Sequence, residues 1–293
     1  MPEAPGLIDR RAVRARFERA APSYAGASRL EAEIGARMLQ RLQYVKLAPR
    51  RVLDAGSGPG REAKALARRY PGAPQIALDI SLGMLRAAAR RGVLGRWFGG
   101  PAPQPVCADF ARLPLATASV GLVWSNMALH WAAEPLAALR EFHRVLQTES
   151  LLMLSTLGPD TLSELRAAAG ETRVHRFADM HDIGDMLVAA GFSAPVMDME
   201  RVTIVYPDGE TLFGDLRASG QTCALAARSR GLAGRRFRVA LTERLAAQRR
   251  DAGLPVTYEV LYGHAWKPAP ARAADGRAIV QFARAGGAAA SGR

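Results

Sequence analysis

Residues 52–60, VLDAGSGPG, constrain the fold of this chain more than any other segment. A short apolar run leads directly into glycines at positions 56, 58 and 60, and residues 61–70 then favour a helix. Because glycine has no Cβ, the backbone can turn tightly here and approach a ligand closely. The segment therefore predicts a buried strand, a glycine-rich turn and a helix that bind a nucleotide-containing cofactor.

The glycine turn alone does not select the cofactor, because NAD, FAD and S-adenosylmethionine are all bound by such loops. The next apolar strand ends at Asp79, about twenty residues further on, where a carboxylate can accept from both ribose hydroxyls. A third strand leads to Asp109 and Phe110, which suit the amino group and the ring of adenine, and a fourth ends at Ser125 and Asn126. No Gly-Lys-Ser/Thr sequence follows the loop, which disfavours Walker-type phosphate binding.

Each of these residues also has a structural explanation. An aspartate between a strand and glycines, such as Asp54, often holds a turn by accepting from backbone amides. Asp79 and Asp109 could each be solvated strand ends, and Met84 suits a helix core. Their joint occurrence in this order favours a cofactor site.

The order and spacing of the four stretches resemble class I S-adenosylmethionine-dependent methyltransferases. In that superfamily the glycine loop lies beside the methionine part of the cofactor. The resemblance implies a set of cofactor-binding residues along all four stretches: Asp54, Gly56, Ser57, Gly58, Gly60, Asp79, Ile80, Met84, Asp109, Phe110, Ser125 and Asn126.

Strands and helices alternate along the chain between residues 51 and 156, which requires a mostly parallel sheet with helices on both faces. Together with the resemblance, this predicts an α/β fold of the Rossmann-like, doubly wound type, with seven strands and a helical cap. Two helices are expected within residues 8–43, interrupted near Pro22. The expected organisation is an N-terminal helical cap (1–46), a cofactor-binding core (47–206), a helical insertion in the cap (207–253), a last core strand (254–268) and a flexible tail (269–293).

The composition and the cysteines indicate the cellular compartment in which the protein works. No apolar run reaches the length of about eighteen residues needed to span a membrane, and the N-terminus has no secretory signal. The two cysteines, Cys107 and Cys223, have no ligand-like spacing, so neither a metal site nor a disulfide is expected and a reducing cytoplasm is the expected location.

The formal net charge of +13 raises nucleic acid as a partner. However, the cations are almost all arginines in an alanine- and glycine-rich chain, and no nucleic-acid recognition module is present. We therefore expect neither nucleic acid nor a membrane as a partner, and an acidic protein remains a candidate for a basic face.

Several longer stretches are similar to the malonyl-[acyl-carrier protein] O-methyltransferase family of biotin synthesis. They include RFERAAPSY at 16–24, WSNMALHW at 124–131, GPDTL at 158–162, VHRFADMHDIGD at 174–185 and YGHAW at 262–266. The resemblance covers about residues 8–268. It implies a carboxyl O-methyltransferase that esterifies the free carboxylate of a malonyl thioester, the substrate that starts the pimeloyl chain, on an acyl carrier protein. A monomer is expected.

The resemblance also implies three residues that select the substrate carboxylate: Tyr24, His130 and Arg144. Each has a structural alternative, since Tyr24 could be a cap aromatic, His130 a core histidine, and Arg144 a partner of Glu141 one helical turn away. His175, Arg176 and His264 are unranked alternatives. A carboxylate is already ionised at neutral pH, so the transfer requires no general base and depends on positioning and desolvation.

Two departures from the family pattern leave other functions open. QTES at 147–150 replaces the glycine turn usual before the fifth strand, and the segment 224–250 is less familiar. The alternatives are an assembly factor or arginine-hydroxylase-type protein with a methyltransferase-like sequence, a methyltransferase for another small molecule, and an RNA methyltransferase supported only by the basic charge.

Overall fold

The computed structural model describes residues 7–95, 102–228, 231 and 233–269. Seven strands form one sheet: β1 Val52–Ala55, β2 Gln75–Asp79, β3 Gln104–Cys107, β4 Val120–Ser125, β5 Leu146–Leu157, β6 Ser193–Tyr206 and β7 Leu254–Trp266. Their order across the sheet is β3-β2-β1-β4-β5-β7-β6, and β7 alone runs antiparallel to its neighbours. This is the seven-stranded, mostly parallel sheet that the sequence and its resemblance predict.

Helices cover both faces of the sheet, as strands buried on both sides require. Within the described residues they are α1 Arg10–Ala20, α2 Tyr24–Ala27, α3 Arg29–Leu42, α4 Ala63–Arg69, α5 Leu82–Gly95, α6 Pro135–Val145, α7 Ser163–Ala169, α8 Met180–Ala189, α9 Gly209–Ala218 and α10 Arg235–Ala246. Alternate residues of β1 enter two different cores. Val52 packs in one with α3, α7 and α9, whereas Leu53 packs in the other with α6 and α8. The doubly wound prediction is confirmed.

The N-terminal segment forms three helices where the sequence predicts two. The break after α1 at Pro22 is as expected, but a further short helix, α2, begins at Tyr24 before α3 starts. Ile34, Met38 and Leu42 of α3 are completely buried in the core on one face of the sheet. Their burial makes α3 part of the main hydrophobic core as well as the cap.

Strand β5 begins five residues earlier than predicted, because the segment 147–150 is built into the strand. Val120 pairs with Leu146 and Leu122 pairs with Leu151, so the intervening residues of β5 form a bulge. Glu149 takes a positive φ of 58° there, and its N–H donates to the carbonyl of Lys267 at 2.8 Å. The end of β7 therefore supports the turn that the family normally makes with glycine.

The predicted helical insertion contains two helices, α9 and α10, and the sequence predicts interruptions between them at Gly220, Gly231 and Gly234. The proposed boundaries of the cap, core and insertion stay predictions. Apart from Ala269, the predicted tail at 269–293 lies outside the described residues. In the part of the chain that is described, no helix is both long and apolar enough to cross a membrane.

Candidate functional site

The glycine loop lies at the carboxyl end of β1 and makes the tight approach that its sequence predicts. Gly56, Gly58 and Gly60 all have positive φ, at 83°, 52° and 71°. A Cβ placed on Gly56 would lie 2.4 Å from the Cβ of Ala128, in the segment that follows β4. Position 56 therefore requires glycine both for its backbone conformation and for space.

Asp79 at the end of β2 fixes the shape of this loop. One carboxylate oxygen accepts from the N–H of Gly58 at 2.9 Å, and the other accepts from the N–H of Ser81 at 2.8 Å. Burial raises the pKa of Asp79 to about 6, although these backbone hydrogen bonds favour the charged form. Each oxygen keeps a lone pair, so the side chain can still accept from ribose hydroxyls.

Helix α1 crosses the pocket and is attached on both sides. At one end Glu18 accepts from the Ser81 hydroxyl at 2.7 Å and from the N–H of Gly83 at 2.9 Å. At the other end Arg10 donates to a carboxylate oxygen of Asp109 at 3.0 Å. Neither Glu18 nor Arg10 is among the residues that the sequence predicts for the site. Glu18 falls within the similar stretch at 16–24, but nothing in the sequence relates it to residues 81 and 83, and Arg10 carries no local signal.

A pocket lies between the glycine loop, the ends of β2 and β4, and α1. Most of the predicted site residues line it: Tyr24, Gly56, Gly58, Asp79, Ile80, Met84, Asp109, Phe110 and Asn126. Four others support the loop without lining the pocket: Asp54, Ser57, Gly60 and Ser125. The structure thus brings together the residues that the sequence proposes for S-adenosylmethionine.

Unpaired polar atoms beneath the loop provide a test of whether this cofactor fits. Oδ2 of Asp54 and Oγ of Ser57 are buried and have no hydrogen-bond partner among the described residues. Burial raises the pKa of Asp54 well above its usual range, because no cation in the described protein compensates its charge. A ligand ammonium group would compensate it, and the methionine part of S-adenosylmethionine carries one. Asp79 and the apolar side chains of Ile80, Met84 and Phe110 suit the ribose and adenine, so the residues fit the cofactor.

Asn126 lines the pocket, but its amide also joins the cap to the sheet. Its Nδ2 donates to the carbonyl of Glu31 in α3 at 2.9 Å and to Glu62 at 3.2 Å. Its Oδ1 accepts from the hydroxyl of Ser155 in β5 at 2.9 Å. Asn126 therefore helps to hold α3 against the pocket, and its contact with the cofactor stays a prediction.

Tyr24 lies on the pocket wall directly above the glycine loop. A Cβ on Gly58 would be 3.7 Å from the Tyr24 ring, and in the described part of the chain the hydroxyl has no hydrogen-bond partner. Burial raises the pKa of Tyr24 well above its usual value of about 10. The phenol therefore remains protonated at neutral pH and can donate a hydrogen bond to a ligand.

His130 lies in a neighbouring cavity rather than in the cofactor pocket. Its ring contacts Trp131, with centroids 5.2 Å apart, and Phe177 at 5.6 Å, while Nδ1 is 3.5 Å from the Thr156 hydroxyl. Burial lowers the pKa of His130 to about 3. The imidazole is therefore neutral at pH 7 and can recognise a carboxylate by hydrogen bonding but not by charge.

Arg144 is separated from both cavities and is occupied by structural contacts. Its guanidinium forms a pair of 2.7 Å hydrogen bonds with Glu141 and donates to the carbonyls of Leu115 at 2.8 Å and Leu113 at 3.0 Å. These bonds tie α6 to the loop before β4, which is the alternative that the spacing to Glu141 predicted. We therefore leave Arg144 out of the proposed site.

Comparisons with known proteins agree with this geometry. The family model for a methyltransferase domain matches residues 53–154. A malonyl-[acyl-carrier protein] O-methyltransferase of Gallionella capsiferriformans is 50% identical over 280 residues, covering 94% of this chain and 97% of the relative. A protein of the same name from a Methylovorus species is 52% identical over 283 residues, covering 94% and 95%. This chain belongs to the malonyl-[acyl-carrier protein] O-methyltransferase family.

Solved structures support the fold independently. A Bacillus halodurans protein classed as a methyltransferase matches with a TM-score of 0.60 at 19% identity, covering 80% of this chain and 99% of that one. The YcgJ protein from Bacillus subtilis matches with a TM-score of 0.58 at 16% identity, covering 81% and 99%. Family membership and this fold confirm the expected enzyme class and the S-adenosylmethionine cofactor.

Substituting Gly56 tests the loop. We expect Gly56→Ala to weaken S-adenosylmethionine binding at least tenfold, because the added methyl group would collide with Ala128 and the positive φ is strained by about 1–2 kcal/mol. Gly72→Ala is the matched control, since Gly72 also has a positive φ, of 86°, but has nothing within 4 Å of an added Cβ. Titration calorimetry on both folded variants measures the difference, and equal affinities would contradict the assignment.

Cofactor affinity should also depend on pH through Asp79. Because the pKa of Asp79 is raised to about 6, its carboxyl group changes from mostly protonated at pH 5 to mostly ionised at pH 7. The ionised form offers more hydrogen-bond acceptors to the ribose hydroxyls, so the affinity for S-adenosylmethionine should increase over this range. Asp79→Asn should bind weakly at every pH and show a smaller slope, to which Asp54 still contributes, whereas Asp109→Asn should keep the full slope. Calorimetry at a series of pH values measures the slopes, and an unchanged slope in Asp79→Asn would assign the whole titration to another group.

Proposed function

We propose that the protein transfers the methyl group of S-adenosylmethionine to the free carboxylate of a malonyl thioester carried by an acyl carrier protein. The carrier and the malonyl group are those named for relatives that are 50% and 52% identical. The product is a methyl ester, which removes the charge that would oppose elongation of the chain end. We propose that this ester starts the pimeloyl chain of biotin.

The observation that carries the proposal is the match, over 94% of this chain, to relatives named for this reaction, and the protonation state of the candidate polar residues agrees with it. Tyr24 remains a protonated phenol, and His130 has a pKa of about 3. A general base works best when its pKa is close to the working pH, so neither side chain suits that role. A carboxylate acceptor has a pKa of about 4 and arrives ionised, so it needs none. Tyr24, which lines the cofactor pocket, is suited to donating a hydrogen bond to its oxygens, and the neutral His130 in the adjoining cavity is suited to an uncharged part of the substrate.

The protein contributes position and the exclusion of water. When bound, S-adenosylmethionine supplies a methyl group on a positively charged sulfur that is attacked in line by a nucleophile. Phe17, Met127 and Trp131 line the pocket together with Tyr24 and offer apolar surface around the acceptor. Transfer diminishes the opposite charges on both partners, so a site with little water favours the reaction.

A basic face next to the site supports an acidic carrier protein as the partner. Arg235 and Arg236 begin α10 and are exposed, and no ion pair is formed by either within the described structure. Carrier proteins are acidic, so complementary charge would steer and orient their docking. We further propose a cytoplasmic monomer with no membrane or nucleic-acid partner, in keeping with the two free cysteines, Cys107 and Cys223.

A labelled-methyl assay tests the function. Incubation with S-adenosylmethionine labelled on its methyl group should transfer label to malonyl-carrier protein and leave acetyl-carrier protein unlabelled, because only malonate presents a free carboxylate. Base-labile label on the thioester would identify a methyl ester. Cofactor binding without transfer to malonyl-carrier protein would instead support a scaffold role, and transfer to both thioesters would contradict the carboxylate acceptor.

Tyr24→Phe should lower kcat/KM for malonyl-carrier protein by about 10- to 150-fold, because a hydrogen bond to a charged group contributes about 1.5–3 kcal/mol. Affinity for S-adenosylmethionine should change little, since the ring over Gly58 is preserved. Arg144→Gln is the comparison, and we expect it to lower the free energy of unfolding but not kcat/KM. Steady-state kinetics and thermal unfolding distinguish the two variants. A loss of kcat/KM in Arg144→Gln without one in Tyr24→Phe would place Arg144 in the site instead of Tyr24.

Charge reversal on α10 tests carrier docking. Arg235→Glu with Arg236→Glu should raise KM for malonyl-carrier protein about tenfold and reduce its dependence on salt. Arg50→Glu with Arg51→Glu makes the same change in net charge at the opposite, amino end of the parallel strands, and we expect it to leave KM unchanged. Equal effects of both pairs would attribute the result to net charge rather than to docking.

A further inference from the structure

A second cavity adjoins the cofactor pocket, and Trp131 lines both. Its apolar wall comes from helices α7, α9 and α10 through Leu165, Ala169, Leu216 and Leu241. We call it the helical cavity. Its enclosed volume of about 320 Å³ is in the range that holds a small-molecule ligand. It is separate from the glycine loop, so the cofactor does not account for it.

The helical cavity extends from the chemistry to the proposed docking face. His130 and Trp131, which follow β4, form its boundary with the cofactor pocket. Phe237 and Leu241 line it on α10, the helix that begins with Arg235 and Arg236. A ligand that fills it would therefore connect the basic surface to the cofactor pocket.

Two arginines on the wall indicate an anionic ligand. The guanidinium of Arg173 stacks 3.9 Å above the ring of Phe237, and Arg217 lines the same cavity. Neither forms a salt bridge within the described ranges, whereas the nearby Arg176 pairs with Glu171 at 3.5 Å. Two cations without a counterion on an apolar wall suit a phosphate attached to a largely uncharged chain.

Polar groups elsewhere on the wall suit amides in that chain. Thr222 accepts from Arg16 at 2.6 Å through its hydroxyl, which keeps its own proton to donate. Cys223 and Gln221 lie beside it on the wall. The lining therefore combines cations, a short polar strip and apolar surface. This combination suits a linear ligand that carries a phosphate, amides and a thioester better than it suits a plain acyl chain.

We infer that the helical cavity holds the phosphopantetheine arm of the thioester substrate, an inference that rests on the proposed function. Arg173 and Arg217 bind the phosphate, and His130 and Trp131 lie at the thioester end. This arrangement is in keeping with the separation of Tyr24 from His130, whose rings are connected through successive contacts with Phe17 and Trp131. The thioester lies near His130, and the malonyl carboxylate points from there into the cofactor pocket, which Tyr24 lines.

Filling the cavity tests the inference. Ala169→Trp, on the cavity wall, should raise KM for malonyl-carrier protein at least tenfold without changing S-adenosylmethionine affinity. Ala167→Trp is the matched control, because Ala167 lies on the same helix but is exposed. If the wild-type enzyme is active and both variants keep its KM, the arm lies elsewhere. If the wild-type enzyme transfers no methyl group, the proposed function fails instead.

The phosphate site has its own test with two small substrates, malonyl-phosphopantetheine and malonyl-pantetheine. Arg173→Gln with Arg217→Gln should raise KM about tenfold for the first and leave the second unchanged, whereas Arg176→Gln should affect neither. Equal effects on both substrates would overturn the phosphate assignment. If a long-chain fatty acid inhibits the wild-type enzyme and inhibits the double variant equally, the phosphate assignment is overturned in favour of a lipid ligand.

A covalent trap gives a readout independent of methyl transfer. In a Cys107→Ser background, mild oxidation with holo-carrier protein should join its terminal thiol to Cys223 as a reducible disulfide, because Cys223 lines the cavity. Replacing Cys223 with Ser as well should remove the adduct, and Ala169→Trp should reduce it. An adduct of equal yield in the Ala169→Trp variant would place the arm outside the cavity.

Discussion

The buried carboxylate of Asp79 is the interaction on which the site depends. It accepts from the N–H groups of Gly58 and Ser81, so one side chain holds both the glycine loop after β1 and the start of α5. The Ser81 hydroxyl in turn donates to Glu18 of the cap. Because burial disfavours its charge, Asp79 needs these hydrogen bonds, and a ribose would add more. The same residue thus links the core, the cap and the cofactor.

The rest of the site is arranged around neutral hydrogen-bond donors. Methyl transfer to a carboxylate requires recognition of a negative charge without a strong ion pair that would hold the nucleophile back. We propose that Tyr24 meets this requirement, because burial keeps its phenol protonated, and that the imidazole of His130, which burial keeps uncharged, lies near the thioester. Arginines are placed where binding rather than reaction is needed, on the wall of the helical cavity and on α10.

Two cavities meet at Trp131, and we propose that they give the cofactor and the thioester separate approaches. The cofactor pocket is formed by the sheet ends and α1, whereas the helical cavity is formed by α7, α9 and α10. Of the helices around the helical cavity, α7 lies between β5 and β6, and α9 and α10 lie between β6 and β7. We propose that these helices set which acceptor is methylated.

The sequence by itself determined the fold and most of the cofactor pocket, because both depend on local signals. Apolar runs define the strands, Gly56 and Gly58 define the turn, and Asp79, Asp109 and Phe110 follow their strands directly. Parallel strands then bring these ends to one edge of the sheet. Only the tertiary structure decided the roles of Arg10, Glu18 and Arg144, and the existence of the helical cavity. Those depend on contacts between segments far apart in the chain, such as Arg10 with Asp109, and local patterns carry no information about such pairs.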